Sequence, residues 1–139
     1  MKKLYTILIL CLLSVALYAQ DGGSTLKLEL EKTFQVQNDY QSTDLKNIYK
    51  EFIIYKDGDQ GYVKLVGYIP SSTETFNFEG KQPKSLIRDI YGNDAMAIIT
   101  KSSRSNKVTV FKVFVESDPV LIDLAQEGEN GRLRFTAKQ

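Results

Sequence analysis

Hydrophobic and polar residues alternate with period two over residues 26–36. Leu26, Leu28, Leu30, Phe34 and Val36 hold the even positions, and Lys27, Glu29, Glu31, Thr33 and Gln35 the odd ones. Successive side chains of a strand point to opposite faces, so this pattern predicts a long strand with one buried and one wet face. Only Lys32 interrupts the apolar series. Residues 37–47 are polar and predict a loop. Leu45, Ile48, Tyr49 and Phe52 stand at helical spacing behind Ser42 and Asp44, which allows a helical turn before the next strand.

Phe52-Ile53-Ile54-Tyr55 is aromatic and β-branched, predicting a strand near 49–56. Asp57-Gly58-Asp59-Gln60-Gly61 is a turn sequence, and Tyr62 to Ile69 reads as the returning strand. Pro70-Ser71-Ser72 breaks it before a short strand around 73–78. Pro83 to Tyr91 predicts the one helix: Leu86, Ile87 and Ile90 share a face, Pro83 suits the first turn and Gly92 the stop. Ala95 to Thr100 and Val108 to Val115 follow as strands, the second apolar on both faces and hence central. Val120 to Ala125 and Arg132 to Ala137 form a last hairpin around Glu127-Gly128-Glu129-Asn130-Gly131, where Asn-Gly is the strongest turn signal in the chain.

About eight short strands with one small helix favour a mainly β, antiparallel sandwich or barrel over alternating βαβ units. In a simple meander, the 37–48 loop, Pro70-Ser71-Ser72, the 101–107 loop and the 127–131 turn would share one end. The Asp57–Gly61 turn and the 83–91 segment would share the other.

The N-terminus changes the picture. Met1-Lys2-Lys3 precedes the apolar stretch 4–17, and Ser-Val-Ala-Leu-Tyr-Ala closes it at Ala19. A positive start, an apolar middle and a small-residue exit form the secretory pattern. The stretch is shorter than the roughly 20 apolar residues of a membrane-spanning helix. A signal peptide over 1–19 is therefore expected, cut after Ala19 or alternatively after Ala16. A polar flexible segment, 20–24, then leads into a single domain, 25–139. Cys11 has Leu10 before it and Leu12-Leu13 after it, which does not fit a lipid-attachment site, and it would leave with the signal. The mature chain would then hold no disulfide.

Composition excludes more chemistry than it offers. Processing would leave 120 residues, with 16 basic against 17 acidic and a net charge of −1, which gives no general attraction to nucleic acid. The sequence contains no histidine, so Ser-His-Asp and Cys-His catalysis are excluded, as are histidine-ligated zinc sites. No Gly-rich phosphate loop is present. Carboxylate pairs such as Glu74 with Glu79, Asp89 with Asp94 or Glu127 with Glu129 are the remaining acid–base candidates. A calcium loop opening at Asp57 fails, because its twelfth position is Tyr68 rather than glutamate.

Lys101, Arg104 and Lys107 place three cations among three serines and an asparagine, a candidate binding site for an anionic ligand or partner. The same charges at a hairpin tip also keep strand ends soluble. Tyr40, Tyr49, Tyr55, Tyr62, Tyr68 and Tyr91, with seven phenylalanines, suit cross-strand packing first and a contact surface second.

The sequence thus leads to the expectation of an exported, periplasmic or secreted, non-enzymatic domain. It would bind another envelope or extracellular protein, and it would require neither cofactor nor metal. The alternative is a lipocalin-like carrier, whose barrel would keep an internal cavity for a small apolar ligand. A carboxylate-dependent hydrolase is the third reading, and it would need two facing carboxylates in a cleft.

Overall fold

The computed structural model describes residues 25–38, 41–83, 86–88 and 92–138; the expected signal peptide, Cys11 and the 20–24 segment lie outside them. Ten strands are present among the described residues: β1 (Leu26–Asn38), β2 (Gln41–Leu45), β3 (Tyr49–Asp57), β4 (Gln60–Gly67), β5 (Glu74–Phe78), β6 (Ile87–Arg88), β7 (Asp94–Ser102), β8 (Val108–Phe114), β9 (Val120–Gln126) and β10 (Arg132–Lys138). Eight of them run β1-β3-β4-β5-β7-β8-β9-β10 in an antiparallel meander. β10 returns to pair with β1, from Glu29 opposite Lys138 to Val36 opposite Arg132, and closes a barrel. Of the two architectures expected, the barrel is the one formed.

The meander sorts the connections as the strand pattern predicted. The links after β1, β4, β7 and β9 lie at one end, here the upper end, and the β3–β4 turn and the β5–β7 segment lie at the lower end. The β3–β4 turn is a tight one, with Asp57 opposite Gln60 and Gly58 at φ +63°, a left-handed conformation that glycine adopts without strain.

Period two places Phe52 and Ile54, Val63 and Leu65, Phe76, Ile98, Phe111 and Val113, Ile122 and Phe135 inside the barrel, all essentially without exposure. Their rings meet across the interior. Phe111 lies edge-on to Phe76 at 4.9 Å and beside Phe52 at 5.7 Å, and Tyr49 is edge-on to Phe135 at 6.0 Å. Offset and edge-to-face contacts of this kind add to the stabilisation from burial.

Lys32, the residue that broke the apolar series, marks a β-bulge. The register of β1 against β10 shifts between Leu30 and Lys32, so Thr33 faces Phe135 inside while Phe34 and Val36 turn to the outer face. An extra residue in one strand flips all that follow it, and burying a lysine inside would cost more than the bulge.

Two expectations are corrected. Residues 41–45 are not loop but β2, which among the described residues pairs only with β1, from Thr33 opposite Leu45 to Val36 opposite Ser42. β2 and β3 form one interrupted strand, and the Asn47 side-chain amide donates to the Glu31 carbonyl across the break. Residues 42–45 are exposed, so no hydrophobic period announced the strand.

The helix expected at 83–91 is absent: Ile87–Arg88 is a strand paired to Ala95 and Asp94 of β7, while 84–85 and 89–91 lie outside the described residues. The only helical piece among the described residues is the 3₁₀ turn Pro70–Ser72. A two-turn helix is marginal by itself, and pairing with the edge of β7 satisfies the backbone instead. Between β5 and β6 a side chain completes the ladder. The Gln82 amide accepts from Ile99 N–H at 2.8 Å and donates to Ile99 C=O at 2.8 Å, as a strand backbone would.

Candidate functional site

At the upper end, β4 stays paired with β3 until Tyr68 N–H donates to the Ile48 carbonyl at 3.1 Å. There the chain leaves the sheet. Pro70, which has no N–H to offer a neighbour, opens the 3₁₀ turn, and Ser72 N–H and Oγ–H both donate to the Ile69 carbonyl at 3.1 and 2.9 Å. Gly67 makes room for this sharp exit, because a Cβ there would collide with the Ser72 side chain. Its N–H donates to Thr73 Oγ1 at 3.0 Å.

The turn leaves Tyr68 and Ile69 on its outer side, each 59% exposed. Ile48 stands beside Tyr68 at 47%, and Leu45, where β2 ends, is exposed to 40%. These are four of the five exposed large apolar side chains among the described residues; the fifth, Ile87, belongs to β6. Scattered exposed apolar residues are ordinary, whereas a contiguous group with polar neighbours marks a contact surface.

The basic loop after β7 supports this rim from behind. Arg104 donates from Nη2 to the Ser71 and Thr73 carbonyls at 3.1 and 3.2 Å, and Ser103 donates from N–H and Oγ–H to the Thr75 carbonyl at 3.1 and 2.7 Å. The three cations singled out from the sequence therefore have separate surroundings. Arg104 holds the 70–73 turn, Lys107 pairs with Glu129 at 3.6 Å, and Lys101 sits in β7 opposite Asn77 and Val108.

The candidate carboxylates are likewise separated. Glu74 and Glu79 flank opposite ends of β5, Asp94 pairs with Arg88 at 3.0 Å, and Glu127 accepts from Val108 N–H at 2.9 Å. Asp89 lies outside the described residues. Among those residues no group of three acidic, histidine or cysteine side chains could hold a metal ion.

Beneath the rim, Tyr49 points inward and donates to Glu74 Oε2 at 2.6 Å. Burial first, then the hydrogen bond and charge of Glu74, push its phenol well above the ordinary value of 10, with Arg104 acting weakly the other way. Tyr55, stacked on Tyr62 at 5.1 Å, is raised less, again mainly by burial. A raised folded-state pKa favours the protonated fold, so this contribution is complete below pH 10 and declines as pH rises from 10 towards the folded value. Urea midpoints followed from about pH 8 to about pH 11 should be flat and then fall. Tyr49→Phe should reduce that alkaline slope, Tyr55 supplying the residue, while costing about 1 kcal/mol at neutral pH for the lost hydrogen bond. An unchanged slope would mean that Tyr49 is not the group held protonated.

The sequence contained Leu45 and Ile48 as a helical face and Ile69 as the end of a strand; the signal that Ile69 stays outside is Pro70 directly after it. Fold and rim together define a closed eight-stranded antiparallel barrel with an apolar corner at its upper end. Comparison with protein-family models, with curated proteins and with solved structures finds no match, so no family can be assigned.

Proposed function

We propose that this chain is an exported, non-enzymatic interaction domain that holds another envelope or extracellular protein through Leu45, Ile48, Tyr68 and Ile69. The observation that carries this reading is that Ile48, Tyr68 and Ile69 stand exposed where β3 and β4 part, just before a turn held by Arg104, with Leu45 also exposed at the end of β2. Rigid apolar anchors with a polar rim are where binding energy concentrates in protein contacts. The secretory pattern of residues 1–19 supports the address.

The carrier reading has the barrel shape in its favour but not the interior. A barrel of eight strands has room either for its own side chains or for one small ligand. Here Phe52, Phe76 and Phe111 meet within 4.9–5.7 Å in that space.

A photo-crosslinking residue placed at position 68, compared with one at the exposed position 112 of β8, tests the docking face in cells that export the protein. A discrete crosslinked species is expected from position 68 and not from 112. Ile48→Asp should abolish it while changing stability by less than about 0.5 kcal/mol, as for most surface substitutions. Equal crosslinking from both positions, or none from either, would exclude this rim as the contact.

A further inference from the structure

β2 is the one strand in the ladder order that ends it, with β1 on one side and no strand among the described residues on the other. The reason lies in the rim. β4 would be the next neighbour if it continued past Tyr68, but Pro70 and the 3₁₀ turn lead the chain away after Ile69. The edge left uncovered is Gln41–Leu45, with residues 42–45 all exposed. Alternate residues of an antiparallel strand direct both N–H and C=O to the same side, so such an edge presents unpaired donors and acceptors. Proteins usually blunt it with proline, lysine or a covering loop. Gln41-Ser42-Thr43-Asp44-Leu45 carries none of the first two, only the single charge of Asp44.

We propose that an extended segment of a partner protein adds as a strand to the free edge of β2 and rests apolar side chains of one face on Ile48 and Tyr68. This rests on the docking reading above and names its mode. Backbone hydrogen bonds would supply affinity, and the rim would select apolar residues at every second position of the partner strand. The area favours a segment over a second copy of this chain. Whole large side chains present roughly 150–250 Å², so four that are about half exposed offer on the order of 400 Å². A stable dimer buries roughly 800 Å² on each partner. A short strand gains from the edge itself and needs no such area.

The probe is a displayed library of random linear dodecapeptides, whose selected members are synthesised and titrated into the ¹⁵N-labelled protein. Peptides with alternating apolar residues are expected, with dissociation constants on the order of micromolar, weakened by Tyr68→Asp. On binding, alternate amides of Ser42–Leu45 that exchange freely in the unbound protein should become protected. The same peptide N-methylated at alternate residues keeps its side chains but loses edge bonds, and should bind about tenfold or more weakly.

Peptides that need Tyr68 yet leave the β2 amides exchanging, and tolerate N-methylation, would overturn strand addition and leave the docking rim standing. No selected peptide, or binding indifferent to Tyr68→Asp, would overturn both. A concentration-dependent dimer with β2 amides protected in the absence of peptide would make a second copy the occupant and overturn the proposal.

Discussion

Phe111→Ala is expected to destabilise the barrel by about 4 kcal/mol, within the range for removing a buried phenylalanine. Phe111 has no solvent exposure and touches the rings of both Phe76 and Phe52, so it links opposite walls of the interior. Its removal loses the transfer of a whole ring, both ring contacts, and whatever volume the neighbours cannot fill. A closed barrel has little freedom to collapse, because each of its eight barrel strands is held on both sides by its ladder. Urea unfolding should show the midpoint fall with the slope unchanged, and Phe111→Leu should cost about a third as much. A loss below about 1.5 kcal/mol for the alanine variant would mean that the interior holds spare volume. That outcome would revive the carrier reading, so the same measurement checks both packing and function.

The second large effect is expected outside the barrel. Asp123, on the outer face of β9, is buried to 5% side-chain exposure beneath two arginines of β10. Arg134, directly opposite in the register, donates through Nε at 2.7 Å and Nη2 at 2.9 Å, and Arg132 donates through Nε at 2.9 Å. Arg134 also lies over the Phe114 ring, 5.7 Å from its centre. Asp123→Asn keeps the shape but removes the charge, and leaves two guanidinium groups two residues apart on one face. Breaking a fully buried ion pair costs about 3–5 kcal/mol. Because these arginines remain a quarter exposed, about 2–3 kcal/mol is expected here. Added salt should restore part of the loss in the variant by screening the arginines, and should change the parent protein little. A cost under about 1 kcal/mol would show the cluster to be an ordinary surface pair.

Where these features could be read in the sequence follows from how local their causes are. The hairpins at Gly58 and Asn130-Gly131, and the strands whose inner residues alternate with polar ones, are set by neighbours in the chain and were legible. Lys32 was visible as a break in the pattern, but its meaning, a bulge that exchanges inside for outside, depends on the partner register with β10. β2 was hidden because both of its faces are polar and wet. The 83–91 segment had local helical spacing, yet the free edge of β7 and the Gln82 amide at Ile99 lie outside any local window.

The site followed the same rule. Arg104 could be found as a cation in a serine-rich loop, but not as the group that fixes Ser71 and Thr73, some thirty positions earlier. Asp123 with Arg132 and Arg134 was hidden too, because counting outward from the Asn-Gly pair sets Glu127 opposite Arg134, whereas the longer 127–131 loop brings Asp123 there.

The pairing of β1 with β10 has a consequence for how the chain becomes a barrel at all. These two strands come from opposite ends of the domain, so their contact is the most distant in sequence and the slowest to close. Until it forms, β1 and β10 each carry an open edge of backbone groups, and the phenylalanine core is accessible from the seam. A growing chain therefore has no finished sub-structure to stop at. Completion is a single late event, and the interval before it is when the protein is most exposed to proteolysis and aggregation.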